Sequence, residues 1–503
     1  VADAAKAIGY ARRAGDRALA GLAFEEAAAH YERALGVLQP RGRDDELLRC
    51  DLLIATAEAR RQASNPEYRE TVGLAVELAR RLGDAERLAR AALGSARSGG
   101  FAANANVVDE ALLALYEEAS AALGTSDSLL RARVLGQLAT ELQYTPHRER
   151  RYALSREAVE MARRLGDRSG LAHVMILRLV ATSDPFTLVE RLALTAELAA
   201  LAEELGSGEL ACNAANHRAG ALLESGDIHG AECCVAEMER LAAQLRQPLY
   251  AWFAAIGRAT LATTRGAADA EALALAAFEI GTAGGQPDAG NSFAAQLASI
   301  RWHQGRLDEV IDGVRAMAEA MPHISAWPPA FTHECCETDR MAEARAAFAA
   351  IRQRGLELPV DWSWPATMSL LAEVCAYLED AEAAAELYPR LLPVAEQVGS
   401  IVIFLNCYGS LHFPAGLLAS CLRRWEEAER HFEGAVAMNE RLEARPWVVR
   451  TRRGWAAMLL DRNDPGDRAR AADLIAAGRA EAEQLGMARE LVRFERLSAR
   501  LEP

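Results

Sequence analysis

The sequence predicts an all-α protein: an α-α superhelix, or solenoid, of about eleven to twelve helical hairpins. Three observations predict it. First, Leu82-Gly83-Asp84, Leu123-Gly124-Thr125, Leu165-Gly166-Asp167 and Leu205-Gly206-Ser207 each end an alanine-rich, charge-striped run, with glycines 41, 42 and 40 residues apart. Second, the signal returns at Val398-Gly399-Ser400 and Leu485-Gly486-Met487, 87 residues apart, or about two further periods. Third, the runs carry apolar residues at helical spacing, as in Ala428, Phe432 and Ala435, with charged residues between them. A unit of about 41 residues cannot bury its own apolar face, so it stacks on neighbours.

The elements follow in order. The first unit places Gly15 before Ala27, Tyr31 and Ala34. A later one has Gly226-Asp227 in its turn, followed by Ala231, Val235 and Met238. The sharpest is Gly416 followed by Ala428, Phe432 and Ala435. Further markers fall at Ala270, Val310, Ala344 and Ala384, with gaps of 40, 34, 40 and 44 residues to Ala428. Gly-Asp turns end one helix with glycine and cap the next with aspartate. Asn65-Pro66 and Asn463-Asp464-Pro465-Gly466-Asp467 read as breaks. Ile401-Val402-Ile403-Phe404-Leu405 is β-prone, but in this helical setting it is expected to start a buried helix, and no strand is expected elsewhere.

Composition narrows the function. Hydrophobic residues are 51% and charged residues 25%, so the chain is globular. Length alone suggests about three domains, but a solenoid grows by stacking. All eight tryptophans lie at or after Trp252, and prolines cluster from Pro322 to Pro365. This divides the array into residues 1–245 and an aromatic-rich half, 246–503. Net charge is −15 and no basic block appears, so direct nucleic-acid binding is not expected. No apolar run is long enough to span a membrane, and no signal peptide is evident. The first residue is Val1, which suggests a segment of a longer protein. Nine scattered cysteines without a C-x-x-C pair read as reduced thiols in the cytoplasm. Lysine occurs once, at Lys6, so a phosphate-loop lysine or a Schiff base is excluded from the body of the chain.

No catalytic constellation emerges. His333-Glu334-Cys335-Cys336-Glu337 places His333 and Glu337 on one helical face, but two ligands fall short of a zinc site. Gly409-Ser410-Leu411-His412 lacks the second glycine of a nucleophile elbow. The expectation is no enzyme, no metal and no cofactor. Trp327, Trp362, Trp364 and Trp447 sit near proline-marked helix starts, where they are expected to staple the incoming chain rather than rim a pocket.

The repeat unit resembles the tetratricopeptide repeat, a helical hairpin with small residues where its helices cross and an aromatic in its second helix. The family unit is 34 residues, so most units here are longer. The resemblance implies that the first helix of each hairpin lines a concave groove. Carried over, that register turns Asn213, Asn216, Ser299, Trp302, His303, His333, Cys336, Glu337, Ser369, Glu373, Tyr377, Ser410, Phe413, Ser420 and Cys421 inward. The asparagine pair would hold a peptide backbone, and Trp302 beside His303 would form an aromatic wall with a polar handle.

The opening Tyr10-Ala11-Arg12-Arg13-Ala14-Gly15-Asp16 and the runs Ala79-Arg80-Arg81-Leu82-Gly83-Asp84 and Ala162-Arg163-Arg164-Leu165-Gly166-Asp167 are similar to repeat arrays of large bacterial signal-transduction ATPases. These include the LuxR-type and maltose-activator-type regulators. The resemblance implies a sensor or scaffold arm, binding a small effector or a protein in its groove and controlling an ATPase domain of the same parent. Two alternatives stand beside it: a stand-alone protein scaffold, or a cryptic enzyme using His303, His333 and Glu373. A closed aromatic pocket around Trp302 would favour a small effector, and an open groove would favour a scaffold. Convergence of those histidine and glutamate side chains, with shifted pKa values, would be needed for an enzyme.

Overall fold

A computed structural model describes residues 2–21, 23–39, 42–63, 65–95, 107–322, 324–401 and 404–501. Among them are twenty-five α-helices and one two-stranded antiparallel sheet. Consecutive helices pack as hairpins, so the chain is an all-α helical repeat. It forms two compact units, one of residues 1–100 and 107–181, the other of residues 182–503. The compositional boundary at 245 lies inside the second unit, at the end of the helix Ile228–Leu245.

In the first unit, α1 (Ala2–Ala20) and α2 (Phe24–Val37) form the opening hairpin. Ala27, Tyr31 and Ala34 are buried on α2, as their spacing predicts. A Cβ on Gly15 would lie 2.6 Å from the Tyr31 ring, so glycine lets the two helices approach there. Further along come α3 (Arg43–Gln62), α4 (Tyr68–Leu82), α5 (Ala85–Gly94), α6 (Glu110–Leu123), α7 (Leu129–Glu141), α8 (Arg148–Leu165) and α9 (Arg168–Ala181). The Leu-Gly-Asp turn works as its chemistry requires. Gly83 ends α4 in the left-handed region (φ 64°), and the Asp84 side chain accepts from Arg87 N at 2.9 Å to cap α5.

The second unit continues through α10 (Leu188–Glu204), α11 (Gly208–Glu224), α12 (Ile228–Leu245), α13 (Pro248–Arg265), α14 (Ala270–Ala283) and α15 (Ala289–Gln304). Then come α16 (Ile311–Ala320), α17 (Trp327–Glu337), α18 (Met341–Arg354), α19 (Trp364–Leu378) and α20 (Ala381–Leu391). After the sheet follow α21 (His412–Cys421), α22 (Trp425–Arg441), α23 (Arg445–Arg462), α24 (Asp467–Leu485) and α25 (Ala488–Ala499). Ala428, Phe432 and Ala435 are buried on α22, with Gly416 against the Phe432 ring.

One stretch departs from the expected pattern. Val398-Gly399-Ser400 does not end a helix, and Ile401 does not start one. They form strand β1 (Val398–Ile401), paired with β2 (Asn406–Ser410). The helical path stops earlier, in the 3-10 turn Leu392–Val394, where Pro393 has no N–H to continue it. Phe404 and Leu405 belong to the turn of the hairpin, while Val402 and Ile403 lie outside the described residues.

The hairpin is bonded to helices far away in sequence. Thr260 Oγ1 on α13 lies 2.7 Å from the carbonyl oxygens of both Phe404 and Leu405. Gln296 on α15 donates to Leu405 O at 3.2 Å, and Asn406 donates to Ala295 O at 2.9 Å. Ser400 donates to Glu224 on α11 at 3.0 Å, and Ser410 N donates to Asn439 on α22 at 2.8 Å. These partners satisfy strand groups that a helix would have satisfied internally.

The C-terminal helices also return to the start of the second unit. Arg265 pairs with Glu443 at 2.8 Å, and Arg441 donates to Ser225 O at 3.1 Å. Arg450 donates to Trp302 O at 3.2 Å, and Arg489 pairs with Asp308 at 3.2 Å. The inner side of these repeats is therefore covered by the chain itself.

Candidate functional site

The hairpin and the helices before it enclose in part a pocket of about 160 Å³ in the second unit, open on one side to solvent. Its walls come from α13, α15, α17, the loop before α19, and the hairpin. Six aromatic rings face it: Trp252, Phe253, Trp302, Trp327, Trp362 and Tyr408. Polar groups are few. Ser299 lies beside the Tyr408 hydroxyl. Among the described residues, Asp288, His333 and Glu334 supply the titratable groups beside Tyr408.

The expected groove residues separate into three groups. Ser299, Trp302 and His333 line the cavity. His303, Glu337, Glu373 and Tyr377 do not line it but pack in or beside its supporting shell. Asn213 and Asn216 lie on α11, away from it. There Asn213 donates to Glu209 O at 2.9 Å and reaches the Tyr250 hydroxyl at 3.4 Å, while Asn216 is buried. Trp327 and Trp362, expected only to staple helix starts, line the cavity, whereas Trp364 and Trp447 are packed in the core.

Trp302 is the hinge between cavity and shell. The Arg450 guanidinium lies over its ring at 4.0 Å. His333 meets it edge-on at 4.5 Å and Trp447 at 5.1 Å. Behind it, Glu337 accepts from Tyr377 and from Arg493 (2.9 Å), with Arg450 at 3.9 Å. Glu490 receives Arg450 at 3.2 Å, Arg493 at 3.0 Å and Arg453 at 2.7 Å. Burial would raise the Glu337 carboxyl, but Arg493, Arg450 and Tyr377 hold it well below the usual carboxylate range.

His333, Glu337 and Glu373 bring their ligand atoms within 4.8 Å of one another. The third member, 40 residues from His333 in sequence, completes the minimum donor number that the motif alone lacked. Charge argues against a divalent ion there. Arg493 and Arg450 already pair with Glu337, so a cation would sit beside two guanidinium groups, with Glu373, paired with His333, the carboxylate left to it. The cluster reads as a buried ion-pair layer supporting the cavity wall.

The acid/base trio is divided in the same way. His333 Nε2 lies 3.6 Å from Glu373 Oε2, but His303 is set apart, stacked on Trp302. Burial and the Arg450 charge push its pKa down to about 3, so it stays neutral near pH 7. Because this value lies below the ordinary histidine value of about 6.5, His303 contributes stability that is full above about pH 6.5 and is lost as pH falls towards 3. The stability gap between the parent chain and His303→Gln is expected to narrow below pH 6.5, read as urea midpoints by tryptophan fluorescence. A gap that stays constant from pH 7 to 4.5 would contradict this.

The group that sequence reasoning missed is Glu334. In the sequence it stood only as a neighbour of His333. In the structure it is 4% exposed, and its Oε2 has no hydrogen-bond partner. Burial and the nearby Glu337 charge raise its pKa to about 8. The neighbouring thiols are inert for a simpler reason: burial lifts Cys335 to about 11 and Cys336 to about 12.

No family model matches the chain, and no curated protein matches it. Among solved structures, the crystal structure of yeast Tom70 is similar at a TM-score of 0.30 and 12% identity, over 98% of this chain and 96% of that one. A circular tandem repeat protein with a novel repeat topology is similar at a TM-score of 0.16 and 12% identity, over 98% and 88%. Likeness this distant carries no argument about function. The chain is a helical-repeat protein. That statement rests on its own stacked helical hairpins.

Proposed function

We propose that the second unit is a binding module for a small molecule held in the aromatic cavity. The observation that carries this reading is the covered inner side of the repeats. A groove open for a peptide would leave its inner helix faces bare, whereas here the hairpin and the returning C-terminal helices occupy them. The space left is close to that of an engineered apolar cavity of about 150 Å³ that admits benzene. Mostly apolar walls with a few placed polar groups are the usual make-up of a ligand site.

The same reading accommodates a sensor arm of a larger bacterial regulator, as the resemblance of the Leu-Gly-Asp runs implies. In that arrangement, ligand in the cavity would bias an ATPase domain of the parent protein. A cytoplasmic setting accords with nine unpaired cysteines. No helix of the described residues is long and apolar enough to cross a membrane.

The test is a thermal-shift screen of the full chain against a fractionated metabolite extract, with Ala330→Phe as the control. Ala330 lines the cavity and is half-buried, so phenylalanine there fills the space while leaving Trp302 and its packing in place. A ligand that binds only the native state raises the melting temperature by mass action, by about 2.7 kcal/mol of stability at a hundredfold excess over Kd. A fraction that shifts the parent and not the folded Ala330→Phe chain is the expected result. If no fraction shifts the parent, a protein-binding scaffold becomes the better reading.

A further inference from the structure

The chemistry of the cavity wall narrows the class of ligand, and this step rests on the small-molecule reading above. Of the 56 lysines and arginines in the chain, none is among the described residues lining the cavity. Two carboxyl groups, Asp288 and Glu334, do line it. Glu334 is the more telling of the two. A buried carboxyl oxygen without a donor is a costly arrangement, and no ion pair among the described residues reaches this side chain.

The groups that face it sharpen the problem. Glu337, one turn further along α17, adds a like charge. Asp288, at the start of α15, supplies a second acid on the wall. Tyr408, from β2, has Ser299 beside its hydroxyl, and His333 lies on the same wall on α17. Arg450, buried, and Arg493, half-buried, are committed to Glu490, Glu337 and the Trp302 ring. Glu334 can be satisfied by keeping its proton or taking a neutral donor such as water, or else by a cation brought by the ligand.

The rest of the wall favours the cation. The faces of tryptophan, tyrosine and phenylalanine attract cations through their quadrupoles, and a desolvated cation gains most from them. Ammonium groups carrying carbon substituents suit such a site, because those substituents also bury apolar surface. We infer that the cavity binds an organic ammonium ion, its charge set against Glu334 and its carbon groups held among the aromatic rings.

Proton linkage gives this inference its own signature. In the empty protein, Glu334 holds a proton at neutral pH because burial and Glu337 raise it to about 8. An ammonium ligand binds the carboxylate and must displace that proton. Its affinity therefore rises with pH until about 8 and then levels. The empty chain behaves oppositely. A raised carboxyl contributes stability that is full below its ordinary value and is lost as pH rises through about 8.

The experiment uses the full chain with two matched pairs of probes: choline against 3,3-dimethylbutan-1-ol, and benzylammonium against benzyl alcohol. Binding is measured by calorimetry at pH 6 and 8.5 in buffers of differing ionisation enthalpy. At least one cation is expected to bind about tenfold or more tighter than its neutral partner at pH 8.5. That cation should weaken by more than about tenfold at pH 6, and it should release a proton on binding. Glu334→Gln, close in shape to the protonated acid, should abolish both the preference and the pH dependence while leaving the melting curve of the empty chain nearly unchanged at about pH 4.5 and raising it at higher pH, where the parent must take up a proton on folding.

Alcohols binding as tightly as the cations would overturn the inference and leave the pocket reading standing. So would a cation preference that survives Glu334→Gln unchanged. If none of the four probes binds, the ammonium inference also falls. The extract screen with Ala330→Phe then decides separately whether the cavity takes a small molecule.

Discussion

Replacing Arg450 with methionine is expected to destabilise the second unit by about 3–5 kcal/mol. Arg450 is completely buried. Its guanidinium serves Glu490 at 3.2 Å, the Trp302 carbonyl at 3.2 Å and the Trp302 ring at 4.0 Å. Methionine fills much of the same volume, so the loss comes chiefly from stranding carboxylates. Glu490 keeps Arg453 and Arg493, but Glu337 loses one of its two guanidinium neighbours, and charge balance in the layer is broken. Adding Glu337→Gln to Arg450→Met should therefore recover part of the loss, because it removes the carboxylate left short of a partner. Urea unfolding followed by tryptophan fluorescence reads this unit alone, since every tryptophan lies at or after residue 252. A loss below about 1 kcal/mol would mean that water reaches the layer and solvates the carboxylates.

The second large effect belongs to Gly409→Val, expected to cost about 3–5 kcal/mol. Gly409 sits in β2 with φ at +67°, a conformation that costs an L-residue about 1–2 kcal/mol and a β-branched one more. A Cβ there would lie 2.7 Å from the Trp447 ring and 3.0 Å from Asn439 Oδ1. Trp447 has nowhere to go, being packed against Trp302, His303 and Phe413. Overpacking of this kind typically costs about 1–3 kcal/mol. Gly399→Ala, in the partner strand but without a positive φ, should lose clearly less. Equal losses at the two positions would contradict this account. Because Tyr408 adjoins Gly409 and lines the cavity, the valine chain should also lose whatever ligand shift the parent shows.

The repeat was legible because each hairpin follows local rules. Glycine in a left-handed turn, aspartate at a helix start, and a small residue beneath an aromatic all act within about forty residues, so Gly15 under Tyr31 and Asp84 capping α5 could be read directly. Of the residues that the inward register named, Ser299, Trp302 and His333 line the cavity. What escaped notice depends on neighbours that no local pattern encodes. Val398-Gly399-Ser400 carries the same signature as a repeat turn, yet becomes a strand because Thr260, Gln296 and Asn439 offer partners for its hairpin. Glu334 carried no signal of its own in the sequence, because its burial depends on side chains from other elements of the pocket wall. The meeting of His333 with Glu373 likewise needed the stacking of α17 on α19.

The hairpin has a consequence for how this unit comes to be folded. Linear repeat arrays are quasi-one-dimensional: each repeat touches its neighbours, order can begin anywhere, and ends fray independently. Bonds such as Thr260 to Phe404 and Arg450 to Trp302 span 144 and 148 residues. They cannot form until the intervening repeats are in place, and loop closure over that distance has to be met before any contact rewards it. Residues 182–503 should therefore assemble slowly and lose structure as one block, with hydrogen exchange protection nearly level across helices that in an ordinary array would grade from the middle to the ends.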